Sequence, residues 1–274
     1  MGKDSGKISE RKTEFRTLSG LPVKRVYTLE DMKGLDYSRD IGFPGEYPYL
    51  RGIHPSMYRG RIWTMRQLSG FGVPEETRER IRFLTEHGQE APSLIFDAPT
   101  RWGYDSDHPM AKGAVGRVGA PIDTVDDLED MLEGVPLENI HFTESTIAFI
   151  VLSMLIAIAD KRGVPIKTLK GTVQNDILKE YSGPSMYIFP PDPSMRIVTD
   201  IIRFCCEEMP LFNPISISCT TLREAGANAV QELGFWMAHS IAYIQSCVDA
   251  GLNVDDFAPK LTSFLGAIMI SSKR

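Results

Sequence analysis

Four arginines, Arg51, Arg59, Arg61 and Arg66, crowd one run of the chain, RGIHPSMYRGRIWTMRQLSGFG at Arg51–Gly72. A guanidinium fork matches the oxygens of a phosphate two at a time, and Met57, Tyr58 and Trp63 interleave apolar surface with the charge. The run reads as a clamp for a phosphorylated ligand; its competitor is a solvated basic surface. A second polar group closes a strand in KGTVQNDILKEYSGPSMYIFPPDP, Lys170–Pro193. Gln174 and Asn175 stand at the exit of Gly171–Gln174, where polar side chains reach a ligand rather than a core. Capping of the strand end by amides is the simpler alternative. Asp97, Thr143 and Thr220 stand at the ends of other apolar runs.

The remaining chemistry-bearing residues read as structural. Asp105, Asp107 and His108 have metal-like spacing, but a metal wants a second histidine or converging carboxylates, so no metal site is expected. His87 ends a helix, where partial positive charge is favoured. His141 begins a strand, and His239, between Met237 and Ile241, is a partly buried helix residue. Cys205, Cys206, Cys219 and Cys247 lack CxxC spacing. They read as reduced core thiols of a cytoplasmic protein, with Cys205 and Cys206 buried side by side on one helix.

These residues need elements to hold them. Residues 1–50 read as an extended N-terminal arm with one short helix at Thr28–Lys33, capped by Thr28 with Asp31 three residues on. Residues 51–274 read as the second region. Helices are expected at Pro74–His87, Asp123–Glu133, Ala148–Lys161, Ser194–Glu208 (capped by Ser194, after a turn fixed by Pro190–Pro193) and Ala225–Ala250. Strands are expected at Ser93–Phe96, Ile140–Thr146, Leu169–Gln174, Pro214–Ser218 and Leu261–Leu265. Alternation of apolar strands with helices implies an α/β fold, a parallel sheet with helices outside. Polar residues at strand ends suit a β/α barrel. A closed barrel needs eight strands, and about five can be counted, so a partial (β/α)8 barrel with open edges is expected.

The chain has 274 residues, a net charge of −6 and 42% hydrophobic residues. This suits one large domain or a domain with an arm and argues against a nucleic-acid partner. The longest apolar run, Ile147–Ala159, is broken by Ser153 and falls short of the roughly 20 residues of a membrane span; a buried helix is expected, and no membrane partner. The polar N-terminus is no signal peptide, and Gly6 stands where N-myristoylation after Met1-Gly2 would want Ser or Thr.

Several runs are idiosyncratic: RGIHPSMYRGRIWTMRQLSGFG, FDAPTRWGYDSDHP, GTVQNDILKEY, YIFPPDPSM, SIS, LREAGANAVQEL and AGLNVDDFAPKL. In order and spacing, over nearly all of Leu18–Thr262, they resemble the large subunit of adenosylcobalamin-dependent acyl-coenzyme A mutases, the methylmalonyl-CoA mutase family. The resemblance implies the front of a substrate-binding barrel that threads the pantetheine arm of coenzyme A, and a radical carbon-skeleton rearrangement. It implies adenosylcobalamin as cofactor, bound mainly elsewhere: the cobalamin module's D-x-H-x-x-G is absent, and Tyr104-Asp105-Ser106-Asp107-His108 has Ser106 where the Asp should be. The implied partners are an acyl-CoA, a cobalamin-binding small subunit and a chain completing the barrel.

Position by position, the resemblance implies that Ser56, Met57, Thr64, Arg66 and Gln67 lie near the coenzyme A thioester and phosphates. Ser93, Thr146, Thr172 and Gln174 match polar contacts to the acyl-CoA, and Phe96 and Val118 match positions facing the cobalamin ring. Lys260 stands for an Arg and Thr262 for a Ser. Other positions depart from the pattern. His54 stands for a substrate-touching Tyr, with a structural loop histidine as the alternative. Thr221 stands for a His that hydrogen-bonds the thioester carbonyl, Pro184 for an Arg that pairs with a substrate carboxylate, Leu211 for a Lys that helps hold coenzyme A, and Glu144 for a Ser. An unpaired buried carboxylate is costly, so a neutral or hydroxylated acyl group, isobutyryl or 2-hydroxyisobutyryl, is expected over methylmalonyl. The expected function is that of a mutase component active with partners. The alternatives are a non-catalytic acyl-CoA-binding or assembly protein and a truncated remnant.

Overall fold

The computed structural model describes residues 10–266; the readings made at Met1-Gly2 and Gly6 lie outside them. The chain divides into two compact units, Met1–Trp63 and Thr64–Arg274.

In the first unit β1 (Phe15–Arg16) pairs antiparallel with β2 (Pro22–Val23). The expected short helix is a 3-10 turn, Leu29–Met32, closed by the reciprocal Thr28–Asp31 capping box. None of the unit's large apolar side chains is fully buried among the described residues. A segment without apolar periodicity has no stripe to turn inward.

The second unit is a mixed α/β structure. Five parallel strands lie side by side in chain order: β3 (Leu68–Ser69), β4 (Ser93–Leu94), β5 (Asn139–Phe142), β6 (Lys170–Val173) and β7 (Phe212–Asn213). A parallel pair follows, β8 (Ile215–Ser218) and β9 (Leu261–Phe264). Only Pro214 separates β7 from β8; proline has no N–H to give the ladder. Pairing resumes at once, with Ser216 N donating to Gln174 O at 2.9 Å.

Nine helices punctuate the described strands: α1 (Pro74–Glu86), α2 (Ala98–Arg101), α3 (Val125–Met131), α4 (Ala148–Lys161), α5 (Ile177–Ser182), α6 (Pro191–Glu207), α7 (Thr220–Glu224), α8 (Ala229–Asp249) and α9 (Val254–Phe257). The expected α4 is found residue for residue. Its buried Ala148, Val151, Leu152, Leu155 and Ile158 repeat at helical spacing, and no described helix is long and apolar enough to cross a membrane.

Other boundaries move for local reasons. α3 is capped by Thr124, which forms a box with Asp127, rather than by Asp123. The prolines placed in a turn before α6 form its first turn, where a missing N–H is no loss. Ser194, expected as the cap, lies inside the helix, and its Oγ donates to Phe189 O at 3.3 Å. The helix expected from Ala225 is α8, which starts four residues later because Asn228 caps it; Ala225 instead closes the short α7. Cys205 is buried as expected, but Cys206 is only half-buried.

Burial alternates along the strands. Leu94, Ile140, Phe142, Val173, Ile215 and Ile217 are buried, while Ser93, His141, Thr172 and Ser216 between them are half-open. Leu94, Ile140, Phe142 and Val173 lie in a core shared with Leu128, Met131, Leu155 and Ile158 of α3 and α4, and Ile215 and Ile217 in a second one with Ile177, Val198, Ile202 and Tyr243, each such side chain contributing about 1.5–3 kcal/mol. The opposite face is polar.

Candidate functional site

Strand register lines up the polar face. Ser93 pairs with His141 and His141 with Thr172, and Thr143 and Gln174 follow two residues further along. Because side chains alternate with period two, all five point to one side. Together with Thr64, Arg66, Leu68, Ser216 and Phe264 they line an open cavity of about 440 Å³. Thr64, Ser93 and Ser216 have no side-chain hydrogen-bond partner among the described residues, and Gln174 is held only through its Oε1, which accepts from Ser145 Oγ at 3.5 Å. The face thus presents hydroxyls and an amide with unused hydrogen-bonding capacity.

Arg66 is the cation of this face. Its Nη1 lies 2.7 Å from His141 Nδ1, and His141 Nε2 lies 3.1 Å from Asn139 Oδ1. Partial burial lowers the guanidinium's pKa from its ordinary value. Burial, reinforced by Arg66, pushes the imidazole down to about 4. His141 is therefore neutral, with Nδ1 accepting from Arg66 and Nε2–H donating to Asn139.

Beyond the strands' C-terminal ends the chemistry changes. Glu144, Asp176, Lys179 and Glu180 are all buried. Glu144 Oε1 accepts from Phe96 N at 2.8 Å, and its Oε2 lies 3.3 Å from Arg101 Nε. Lys179 Nζ donates to Glu180 Oε1 at 2.5 Å. Burial outweighs Arg101 and raises Glu144 to about 7. Asp176 is likewise raised by burial, although its Oδ2 accepts from Ser218 N at 2.6 Å and its Oδ1 from Tyr243 Oη at 2.7 Å. Nearby, Thr221 Oγ1 is buried and makes no hydrogen bond; a Cβ on Gly183, beside Pro184, would sit 3.2 Å from it.

Of the residues singled out from sequence, Thr64, Arg66, Ser93, Thr172 and Gln174 come together on the polar face. Gln67 is next to them in sequence, with its backbone N donating to Gln89 Oε1 at 2.9 Å. Others are placed differently. Asn175 does not reach for a ligand: it is buried, holds a left-handed turn at φ 49° and donates from Nδ2 to Pro214 O. Thr146 Oγ1 is committed to Arg101 O at 2.7 Å and Thr262 Oγ1 to Ile215 O at 2.8 Å. Lys260 Nζ donates to Cys205 O at 3.1 Å, satisfying a carbonyl at the end of α6 where a cation is favoured. Phe96 is wholly buried in the core against Phe142, so its side chain offers no face to a ring. Val118 is 70% exposed. Thr221 lies on α7, beyond the strand ends.

His54, Ser56 and Met57 belong to the first unit, together with Arg51, Arg59 and Arg61. His54 is exposed, and its backbone N donates to Met57 Sδ at 3.4 Å. The arginine run is thus shared between the two units. Sequence reasoning missed His141 and the buried charges. The alternation Ile140-His141-Phe142-Thr143 carried the signal for His141, because it sets the histidine on the face of Thr143. The acidic and basic residues of NDILKE, in a segment with an apolar side, carried the signal for Asp176, Lys179 and Glu180.

The sequence profile described as methylmalonyl-CoA mutase matches residues 16–271. The chain is 46% identical over 260 residues to the 2-hydroxyisobutanoyl-CoA mutase large subunit of Aquincola tertiaricarbonis, a match that covers 94% of this chain and 46% of that protein. It is 44% identical over 252 residues to the methylmalonyl-CoA mutase of Cereibacter sphaeroides, covering 91% of this chain and 35% of the relative. With the Escherichia coli methylmalonyl-CoA mutase the identity is 43%, over 92% and 35%. The chain spans half the length or less of these curated relatives. It belongs to the methylmalonyl-CoA mutase family.

Proposed function

We propose that this chain is the acyl-coenzyme A-binding portion of a cobalamin-dependent acyl-CoA mutase, a large-subunit-type component of an enzyme that isomerises the carbon skeleton of its substrate by a radical route. The observation that carries the reading is the polar face of the sheet. A closed barrel ordinarily fills its interior with packed apolar layers; here Ser93, His141, Thr172, Gln174 and Ser216 line an open cavity instead. Such a face suits a long arm of amides and oxygens. The strand order supports a partial barrel: a doubly wound sheet reverses its order at a switch point, and these strands follow one another without reversal.

In this reading Thr64, Arg66, Gln67, Ser93, Thr172 and Gln174 hold the coenzyme A arm, and Ser56 and Met57 extend the contact. His54 faces substrate. The unpartnered Thr221 hydroxyl donates to the thioester oxygen, more weakly than an imidazole would as charge develops there. Pro184, next to Gly183 and so close to Thr221, brings no charge for a carboxylate. The acyl group is therefore neutral or hydroxylated, of the isobutyryl or 2-hydroxyisobutyryl kind.

The rim beyond β4 carries exposed apolar side chains at Trp102, Met110, Val115 and Val118, which suit the flat face of a cobalamin. When bound, adenosylcobalamin supplies the carbon radical that starts the rearrangement. The chain's own part is to bind and orient the thioester and keep water from it. A cobalamin-binding subunit and the remaining strands of the barrel complete that enclosure. Four unpaired cysteines support a cytoplasmic setting.

The test mixes the chain with a cobalamin-binding small subunit, adenosylcobalamin and methylmalonyl-, isobutyryl- and 2-hydroxyisobutyryl-CoA. Isomerised product from a neutral or hydroxylated substrate is expected. No association, and no product from any of the three, would contradict the proposal.

A further inference from the structure

We infer that His141 is a positioning residue that aims the Arg66 guanidinium along the polar face while leaving its charge free for an oxygen of the ligand. The inference deepens the reading of that face as an acyl-CoA site and rests on it. Among the described residues Arg66 has no carboxylate within ion-pairing distance, and its one side-chain partner is His141 Nδ1 at 2.7 Å. A carboxylate at position 141 would orient the fork equally well but cancel its charge; a hydroxyl would reach less far. A neutral imidazole orients without cancelling.

The ring itself is fixed from behind. Asn139, two residues earlier on β5 and so on the same face, takes up Nε2 at 3.1 Å. That contact selects the tautomer in which Nδ1 is the acceptor, an arrangement in which the far ring nitrogen sets the role of the near one. The neighbours in the register row, Ser93 and Thr172, are neutral and bring no rival charge to the imidazole. Arg66 lies before β3 and depends on a contact from a strand two places away for its direction. The ligand oxygen is that of a phosphate or of an amide or thioester carbonyl, chemistries that a guanidinium serves alike.

The experiment measures coenzyme A and pantetheine binding to the full chain by calorimetry, and the imidazole nitrogens by 15N NMR. In the wild type His141 is expected neutral at pH 7 with Nδ1 unprotonated. His141→Phe keeps bulk and loses the acceptor, and about 10-fold weaker coenzyme A binding is expected. His141→Asn places an amide oxygen near the Nδ1 position and should restore most of it. His141→Glu keeps the acceptor but neutralises Arg66, and should bind at least as poorly as His141→Phe while melting no lower than wild type. If pantetheine shows the same losses the oxygen is a carbonyl; if only coenzyme A does, it is a phosphate. Unchanged binding in His141→Phe and His141→Glu, or a protonated Nδ1, overturns the inference. If Arg66→Ala also binds coenzyme A like wild type, the reading of the face fails with it; if Arg66→Ala alone weakens binding, only the role of His141 fails.

Discussion

The open face of the sheet and the closed rim beyond its strand ends use polar residues in opposite ways. On the face, Ser93, Thr172, Gln174 and Ser216 are neutral and half-open, with little to bond to, and the one cation stands against a neutral histidine. At the rim, the ionisable side chains of Glu144, Asp176, Lys179 and Glu180 are buried, with Arg101 half-buried beside them, and all are turned on one another or on backbone. What is free to bind a ligand is what the fold leaves both unsatisfied and open, not what carries most charge: the rim also holds atoms without a hydrogen bond, Glu144 Oε2 and Glu180 Oε2, but they are shut away from solvent. Charge density alone would have pointed to the rim, where it serves to fix the loops that end the strands.

The contrast can be broken most severely at the rim. Lys179→Ala leaves the buried Glu180 carboxylate with only the more distant Arg101 guanidinium, 3.9 Å away, and a loss of about 3 kcal/mol in urea unfolding is expected. Asp176→Asn should lose about 2 kcal/mol, since it weakens the two short bonds to Ser218 N and Tyr243 Oη; a melt matching wild type would show that the rim is not built on this carboxylate. Glu144 gives a pH signature. Its pKa is raised from 4.5 to about 7 by burial, so the fold favours the neutral acid. Stability from this group is full below about pH 4.5 and falls as the pH climbs through about 7, by roughly 3 kcal/mol at most. Glu144→Gln should flatten that part of the melting profile; an unchanged profile would place the titration elsewhere. The smallest stability effect belongs to the open face. Gln174→Ala should move unfolding by under about 0.5 kcal/mol yet weaken coenzyme A binding about 10-fold, the worth of one hydrogen bond left unmade.

The same contrast explains what could be read from sequence. α4 announced itself through apolar spacing, and β4, β5, β6, β8 and β9 through apolar runs at regular intervals, because both patterns are local; β3 and β7, two residues each, are too short to show one. Thr64, Arg66, Ser93, Thr172 and Gln174 were legible as a set through long motifs. Their convergence was not, since it depends on strand register, which no single segment encodes. Lys260 and Thr262 read as ligand contacts, and the structure has each donating to a backbone carbonyl, partners that no local pattern announces. Phe96 reads as facing a cofactor ring, and the structure turns its side chain into the core, since an aromatic at a strand end can turn to either side. His141 was passed over as structural although period-two alternation put it on the polar face with Thr143.

One measurement bears most directly on the open face as the ligand site: a crystal structure of this chain soaked with coenzyme A. Pantetheine density running beside Ser93, His141, Thr172 and Gln174, with an oxygen within hydrogen-bonding distance of Arg66, is the expected result. Coenzyme A bound at saturating concentration on any other surface, with that face left to solvent, would contradict it.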